Sequence, residues 1–307
     1  MMTDIPCTKD AALQTAGAKL QAFVELTKPR IAVLVMGASA LSFAIALPSD
    51  ERLLHHWLTW LASIMGTALA AGAANALNQY TERGYDGMMP RTAKRPLPSR
   101  RLNDAEALTF GLATGVLGLL ILAFLVSRLA AGVALLSLVS YVYLYTPMKR
   151  MTPLSVFVGA VPGALPVMIG AIAATGTCGL IAWLLFLIVY FWQLPHFSAI
   201  AWIYRDDYEQ AGYPVMPLVD STIRIDLHIV THTVALIAAS LLPVYFRFSG
   251  TFYAVTAVLL GLGFLASCCV FMLNKTHYHA RRMMLASVVY IPLLFAFMLL
   301  DKLWMAA

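Results

Sequence analysis

Between Asn78 and Pro98 the chain places Asn78, Glu82 and Asp86, then Arg91, Thr92, Lys94, Arg95 and Pro96, directly after a long apolar run. The first three recur at steps of four, so on a helix they share one face, each about one turn from the next. Such a row of oxygen donors suits a hard divalent cation, and Mg²⁺ is commonly held by a carboxylate or two together with substrate phosphates. Asn78 in place of a third acid lowers the negative charge while keeping an oxygen donor. Arg91, Lys94 and Arg95, with Lys149 and Arg150 further on, offer the positive charge that a metal-bridged diphosphate would still need.

A second acidic stretch, Arg205, Asp206, Asp207, Tyr208, Glu209, Gly212 and Asp220, has the same character. Taken singly, a charge just outside an apolar run is more often a solvated cap than a ligand. Two acidic groups and two basic clusters on one face are a stronger signal, although a structural ion-pair network at a membrane edge is the competing reading. The string Trp192-Gln-Leu-Pro-His-Phe197 sets aromatic and imidazole groups beside the second stretch, where Pro195 removes a helix hydrogen bond. An isolated His at a helix end is usually structural, and His196 stands out only through its neighbours. His228 and His232, at i and i+4, are either a haem or metal ligand pair or two packed polar residues, the second being commoner. His277 and His279 read as loop residues. The small residues Gly159, Ala160, Gly163, Ala164 and Gly170 favour close helix packing over a ligand slot.

The elements that must position these groups follow from composition. Of 307 residues, 61% are hydrophobic and 12% charged, about half the charge of a soluble domain. Nine apolar runs, near 31–48, 57–79, 107–126, 130–147, 154–175, 179–200, 226–246, 251–273 and 284–303, each approach the ~20 residues of a membrane-spanning helix. The expected fold is therefore all-α: a polytopic membrane protein with about nine helices bundled around a central cavity open to the cytoplasmic side. Lys and Arg gather before the first run and after the second, fourth, sixth and eighth. The opposite side holds only Arg52, Arg128, Arg247 and Lys302. That bias puts the N-terminus in the cytoplasm and both acidic stretches at one cytoplasmic mouth. It also accounts for the net charge of +6 without nucleic acid.

Residues 1–27 have no arginine and no short apolar core followed by a cleavage site. This argues against a secretory signal and a mitochondrial transit peptide, and favours a bacterial inner membrane over a mitochondrial one. They form a cytoplasmic segment, with Leu13, Leu20, Phe23 and Val24 able to line an interfacial helix; residues 28–305 form one intramembrane domain. Cys7, Cys178, Cys268 and Cys269 lack metal-site spacing.

At several ordered strings the chain resembles the UbiA-type intramembrane prenyltransferases, and within them the branch that acts on haem. The strings are Glu25-Leu-Thr-Lys-Pro-Arg30, Asn78-Gln-Tyr-Thr-Glu82 through Asp86, Arg91-Thr-Ala-Lys-Arg-Pro-Leu97, Tyr145-Thr-Pro-Met-Lys-Arg150, Gly159 to Gly170, Trp192-Gln-Leu-Pro-His-Phe197 and Asp206-Asp-Tyr-Glu-Gln-Ala-Gly212 with Met216-Pro217. The resemblance covers about residues 20–300. The acid row marks only the superfamily, whereas the Arg-Thr-Ala-Lys-Arg-Pro-Leu and Trp-Gln-Leu-Pro-His-Phe strings are specific to the haem branch. Gly84, Ser155 and Leu165 depart from common family residues without removing a ligand.

The resemblance implies farnesyl transfer from farnesyl diphosphate to a vinyl group of haem B. One Mg²⁺ would sit on Asn78, Glu82 and Asp86 and a second on Asp206 and Asp207. Arg91, Lys94, Arg95 and Lys149 are the diphosphate candidates. Tyr145, Trp192, His196 and Phe197 would line the substrate and cation pocket, with the His196 region facing the haem. A downstream haem-modifying enzyme or a terminal oxidase assembly is the implied protein partner. The nearest alternative is a prenyltransferase of quinone precursors, whose second stretch carries a fuller acidic triplet. A transporter would instead place paired broken helices and ionisable groups near the midplane. A haem-binding assembly factor without catalysis would not need the acid rows.

Overall fold

The computed structural model describes residues 8–306, with side-chain surroundings from residue 17 to 305. Among the described residues there is no strand, and nine helices or helix pairs are long and apolar enough to cross a membrane. An N-terminal helix, α1 (Thr8–Leu26), precedes α2 (Pro29–Ala46) and α3 (Trp57–Asp86). Next come α4 (Asp104–Leu125) and α5 (Arg128–Val139), which runs through a π-helical turn at Ser140–Tyr145 into the short α6 (Thr146–Met148). Then follow α7 (Ser155–Thr175) and α8 (Leu180–Ile203), the short α9 (Arg205–Gln210) and α10 (Met216–Val219), and α11 (Thr222–Tyr245), α12 (Thr251–Asn274) and α13 (His277–Ala306). The nine expected spans are all present. Two run longer than hydropathy alone places them: α3 continues through the acid row, and α13 begins at His277, so His277 and His279 lie in its first turn rather than in a loop.

Helix α8 packs against α7, α11 and α13, and α7 against α2, which closes the bundle around the second half of the chain. The small-residue face of α7 serves close packing. A Cβ on Gly170 would stand 2.1 Å from the Ser39 carbonyl oxygen of α2, where Ser42 also donates to the Val167 carbonyl at 2.8 Å. Pro166 lacks the N–H that would pair the Pro162 carbonyl, and the Ser137 hydroxyl donates to it instead at 2.9 Å.

Helix α1 lies against the α3–α4 pair. Ala22, Phe23 and Leu26 pack with Ala76, Leu97, Leu102 and Ala107, and the Phe23 and Phe110 rings are 5.0 Å apart. Leu20 and Val24 are exposed on the side away from Ala22 and Leu26. The Leu13 side chain and Cys7 lie outside the described residues.

Candidate active site

Because α3 is continuous to Asp86, the row keeps one face, and Asn78, Glu82 and Asp86 are all buried. Each meets a cation from a different element. The Lys28 ammonium donates to Asn78 Oδ1 at 3.2 Å. Lys149 Nζ lies 3.1 and 3.4 Å from the two Glu82 oxygens, and Arg95 Nη1 lies 2.7 Å from both Asp86 oxygens.

Local structure explains these approaches. Lys28 caps α2 in the left-handed region (φ 52°), with Pro29 fixing the first helical position. The Asn75 and Gln79 amides of α3 donate to the Thr27 and Leu26 carbonyls at 3.0 and 2.9 Å, pinning that turn over the row. Lys149 follows the π-helical turn, a distortion often found at functional sites. The loop carrying Arg95 is folded back by the Thr92 hydroxyl, which donates to the Asp86 carbonyl at 2.7 Å. Arg101 ties the same loop to α1 by donating to Glu25 Oε2 at 2.5 Å and to the Lys94 carbonyl at 2.8 Å.

Two buried carboxylates thus face three cations. Burial, reinforced by Arg95, pulls the Lys28 amine down to about 7. An amine depressed in this way regains its charge when an anion binds beside it. The cluster has an excess of cationic groups, and it is anion-seeking.

The second acidic stretch is at the same end of the bundle. Met89, just past the row, packs with Tyr208, Ala211 and Tyr213. The Tyr213 hydroxyl donates to Glu82 Oε1 at 3.3 Å, and burial, then the Glu82 charge, push its phenol well above the usual range. Arg91 spans the two stretches: its Nε is 3.7 Å from Asp207 and its guanidinium lies 4.5 Å from the Tyr204 ring centroid. Asp206 turns outward, its side chain 87% exposed beside Arg205. Lys94 is exposed and has no ion-pair partner among the described residues. Arg91, Arg95, Lys149, Asp207 and the row are therefore brought together; Asp206 and Lys94 are not.

The aromatic candidates divide between two sides of α8. Tyr145 and Phe197 line a crevice of about 90 Å³ with Lys149, Tyr208 and Met216. Gly159 makes room for the Tyr145 ring, since a Cβ there would lie 2.5 Å from it. This crevice is smaller than the roughly 300–1,000 Å³ of ordinary ligand pockets. Trp192 and His196 face α13 instead, stacked with ring centroids 5.0 Å apart. The His228 and His232 rings lie 4.2 Å apart at a tilt, and both pack against Phe157, His228 edge-on.

Reasoning from spacing missed Lys28, Tyr208 and Tyr213 as site residues. By position Lys28 is one of the basic residues before the first apolar run, and its place before a helix-starting proline sets it at a fixed turn. Tyr208 and Tyr213 stand in the second stretch, where spacing points only to the acids. Among the described residues no three His, Cys, Asp or Glu side chains are grouped to hold a metal unaided. The row offers a partial oxygen shell, of the kind Mg²⁺ completes with phosphate oxygens and water, so its donor set fits that ion.

This fold and this cluster define a membrane-embedded prenyl-transfer architecture, and the chain belongs to the UbiA prenyltransferase family, whose sequence profile matches residues 33–299. It is 43% identical over 290 residues to the protoheme IX farnesyltransferase of Solibacter usitatus, covering 91% of this chain and 98% of that one. Its identity to the protoheme IX farnesyltransferase of Opitutus terrae is 37% over 294 residues, covering 95% and 98%. Among solved structures it is similar to a UbiA homolog from Archaeoglobus fulgidus bound to GPP and Mg²⁺, with a TM-score of 0.60 over 90% of this chain and 99% of the other. At 15% identity that likeness establishes the fold alone.

Proposed function

We infer that this protein transfers a farnesyl group from farnesyl diphosphate to a vinyl group of haem B, with addition of water, giving haem O and diphosphate. The full-length similarity to protoheme IX farnesyltransferases supports the substrate pair. The observation that carries the chemistry is the buried row of Asn78, Glu82 and Asp86 against Lys28, Lys149 and Arg95.

Asn78, Glu82 and Asp86 would hold Mg²⁺, and a second ion would draw on Asp207, and on Asp206 after a rotation of α9. Bound there, Mg²⁺ supplies neutralisation of the diphosphate charge. The chain's own part is to exchange partners: Lys149, Arg95 and Lys28 leave the row and meet the diphosphate oxygens as the allylic C–O bond ionises. Such preorganised charges usually dominate a rate enhancement. Arg91, held by Asp207 of the second stretch, closes the site, and Lys94 acts only as a topology-setting charge.

The ring faces of Tyr145 and Phe197 exclude water and stabilise the allylic cation, by about 2 kcal/mol for a desolvated cation over an aromatic ring. The vinyl carbon attacks that cation, and water captures the porphyrin-side cation as a hydroxyl. His196 and Trp192 belong to the porphyrin side of the site. The polar end faces the cytoplasm of a bacterial inner membrane, following the Lys and Arg bias.

The test is to incubate purified protein with haem B, farnesyl diphosphate and Mg²⁺ and weigh the haem by mass spectrometry. A product heavier by one farnesyl group and one hydroxyl is expected; unchanged haem overturns the reading.

A further inference from the structure

Asn78 is the member of the row whose two sides differ. A carboxylate offers oxygen in either orientation, whereas a carboxamide presents oxygen on one side and N–H groups on the other. Its use as an oxygen donor depends on which way the amide is turned, and two neighbours fix that turn. The Lys28 ammonium, which can only donate, lies 3.2 Å from Oδ1. On the other side Nδ2 lies 3.2 Å from the Thr146 hydroxyl oxygen. That hydroxyl has a single hydrogen, donated to the Tyr141 carbonyl at 2.8 Å. Its oxygen is left to accept from the amide.

Thr146 takes its place from the π-helical turn. Its backbone N–H reaches back five residues to the Tyr141 carbonyl, and its hydroxyl bonds the same oxygen, whose two lone pairs accommodate both. Pro147, next in the chain, has no N–H to give an α-helical partner. Three residues beyond Thr146, Lys149 reaches Glu82 at 3.1 Å. One wide turn thus serves two members of the row, but the contacts differ in kind. Lys28 and Lys149 are flexible cations that a metal and a diphosphate can replace. Thr146 is fully buried, and its hydroxyl is tied to the backbone. When Lys28 leaves Oδ1, Thr146 is the partner that stays.

We propose that Thr146 is the positioning residue that keeps the Asn78 amide turned with Oδ1 toward the metal, so that metal affinity at the row depends on a hydroxyl that never touches the ion. This rests on the Mg²⁺ reading of the row above. Without the hydroxyl the amide is free to flip, and the flipped form points N–H groups at a cation.

The test uses the full chain in nanodiscs, with Mn²⁺ as a paramagnetic probe in place of Mg²⁺. Free Mn²⁺ is followed by electron paramagnetic resonance during titration in the presence of farnesyl diphosphate and without haem, so turnover does not enter the measurement. Thr146→Val is expected to weaken Mn²⁺ binding by about tenfold or more, the scale of losing a group that orients a metal ligand, and Thr146→Ser to bring it back to within about threefold. Asn78→Ala should itself weaken binding, and adding Thr146→Val to it should change nothing further, because the group that Thr146 aims is gone. Unchanged affinity in Thr146→Val overturns the proposal, and so does an equal loss in both backgrounds, which would mean that Thr146 acts through the bundle. Thr146→Ala removes the same hydroxyl; if neither it nor Thr146→Val inserts with the wild-type Tm, the hydroxyl is structural and the positioning role falls. Wild type that binds Mn²⁺ with no regard to Thr146 sinks this inference alone, whereas wild type that binds no Mn²⁺ with farnesyl diphosphate sinks the metal reading and this inference with it.

Discussion

The two ends of the bundle each bury charge, and they satisfy it in opposite ways. At one end Glu82 and Asp86 are paired with the side chains of Lys149 and Arg95. At the other, Asp301 accepts from the backbone N–H groups of Gly250 and Tyr253 at the start of α12, at 2.5 and 3.1 Å. Its neighbour Lys302 donates to the Ala44 and Ile45 carbonyls at 2.9 Å, and to Leu47, at the end of α2. Charges tied to helix termini have partners that cannot leave without unfolding a helix end. Charges tied to flexible side chains of opposite sign have partners that an incoming cation and anion can replace together. The first arrangement is structure; the second is the one proposed above to exchange its partners for a metal and a diphosphate.

The largest expected effect breaks that contrast directly. Asp86→Asn and Glu82→Gln should lower haem product formation by at least about 10²–10³-fold, the scale of losing one preorganised electrostatic contact, with insertion and thermal stability nearly unchanged. Asp301→Ala should do the reverse. Orphaning two backbone N–H groups at a charged acceptor costs about 1.5–3 kcal/mol per bond, read as a drop in Tm, while turnover per folded molecule stays within about twofold.

The legibility of the molecule in its sequence follows the same division. The α3 row was readable because a four-residue period is geometry that any helix must obey, and the nine spans because apolar length is set by the bilayer. Lys28 was not, because its role depends on Asn75 and Gln79 pinning a turn 48 to 53 residues away. Nor was the outward turn of Asp206 against the inward turn of Asp207, since a six-residue helix such as α9 takes its orientation from what it packs on. The split of Trp192 and His196 from Phe197 likewise needed the position of α13.

An intermediate effect sharpens the comparison from the cationic side. Lys149→Ala should raise the KM for farnesyl diphosphate and lower kcat together, by roughly 10-fold or more in kcat/KM, with Lys94→Ala as the exposed control that changes neither. The smallest effect concerns the Arg101–Glu25 clasp. Arg101 holds the Glu25 carboxyl below its usual range, so its contribution is present at neutral pH and is lost as pH falls below about 4.5 through the lowered folded value. The pair is solvent-exposed and adds no more than about 1 kcal/mol. Arg101→Ala should therefore leave Tm at pH 7 only slightly lower and remove the small acid-dependent part of the Tm curve.

The central claim is that the acid row trades its lysine and arginine partners for magnesium and a diphosphate. Binding of farnesyl diphosphate to purified protein, measured by calorimetry with Mg²⁺ and again with EDTA, tests it most directly. Binding that needs Mg²⁺ in the wild type, and that falls at least tenfold in both Glu82→Gln and Asp86→Asn, is the result the account requires. Equal affinity in EDTA, or in the two variants, would contradict it.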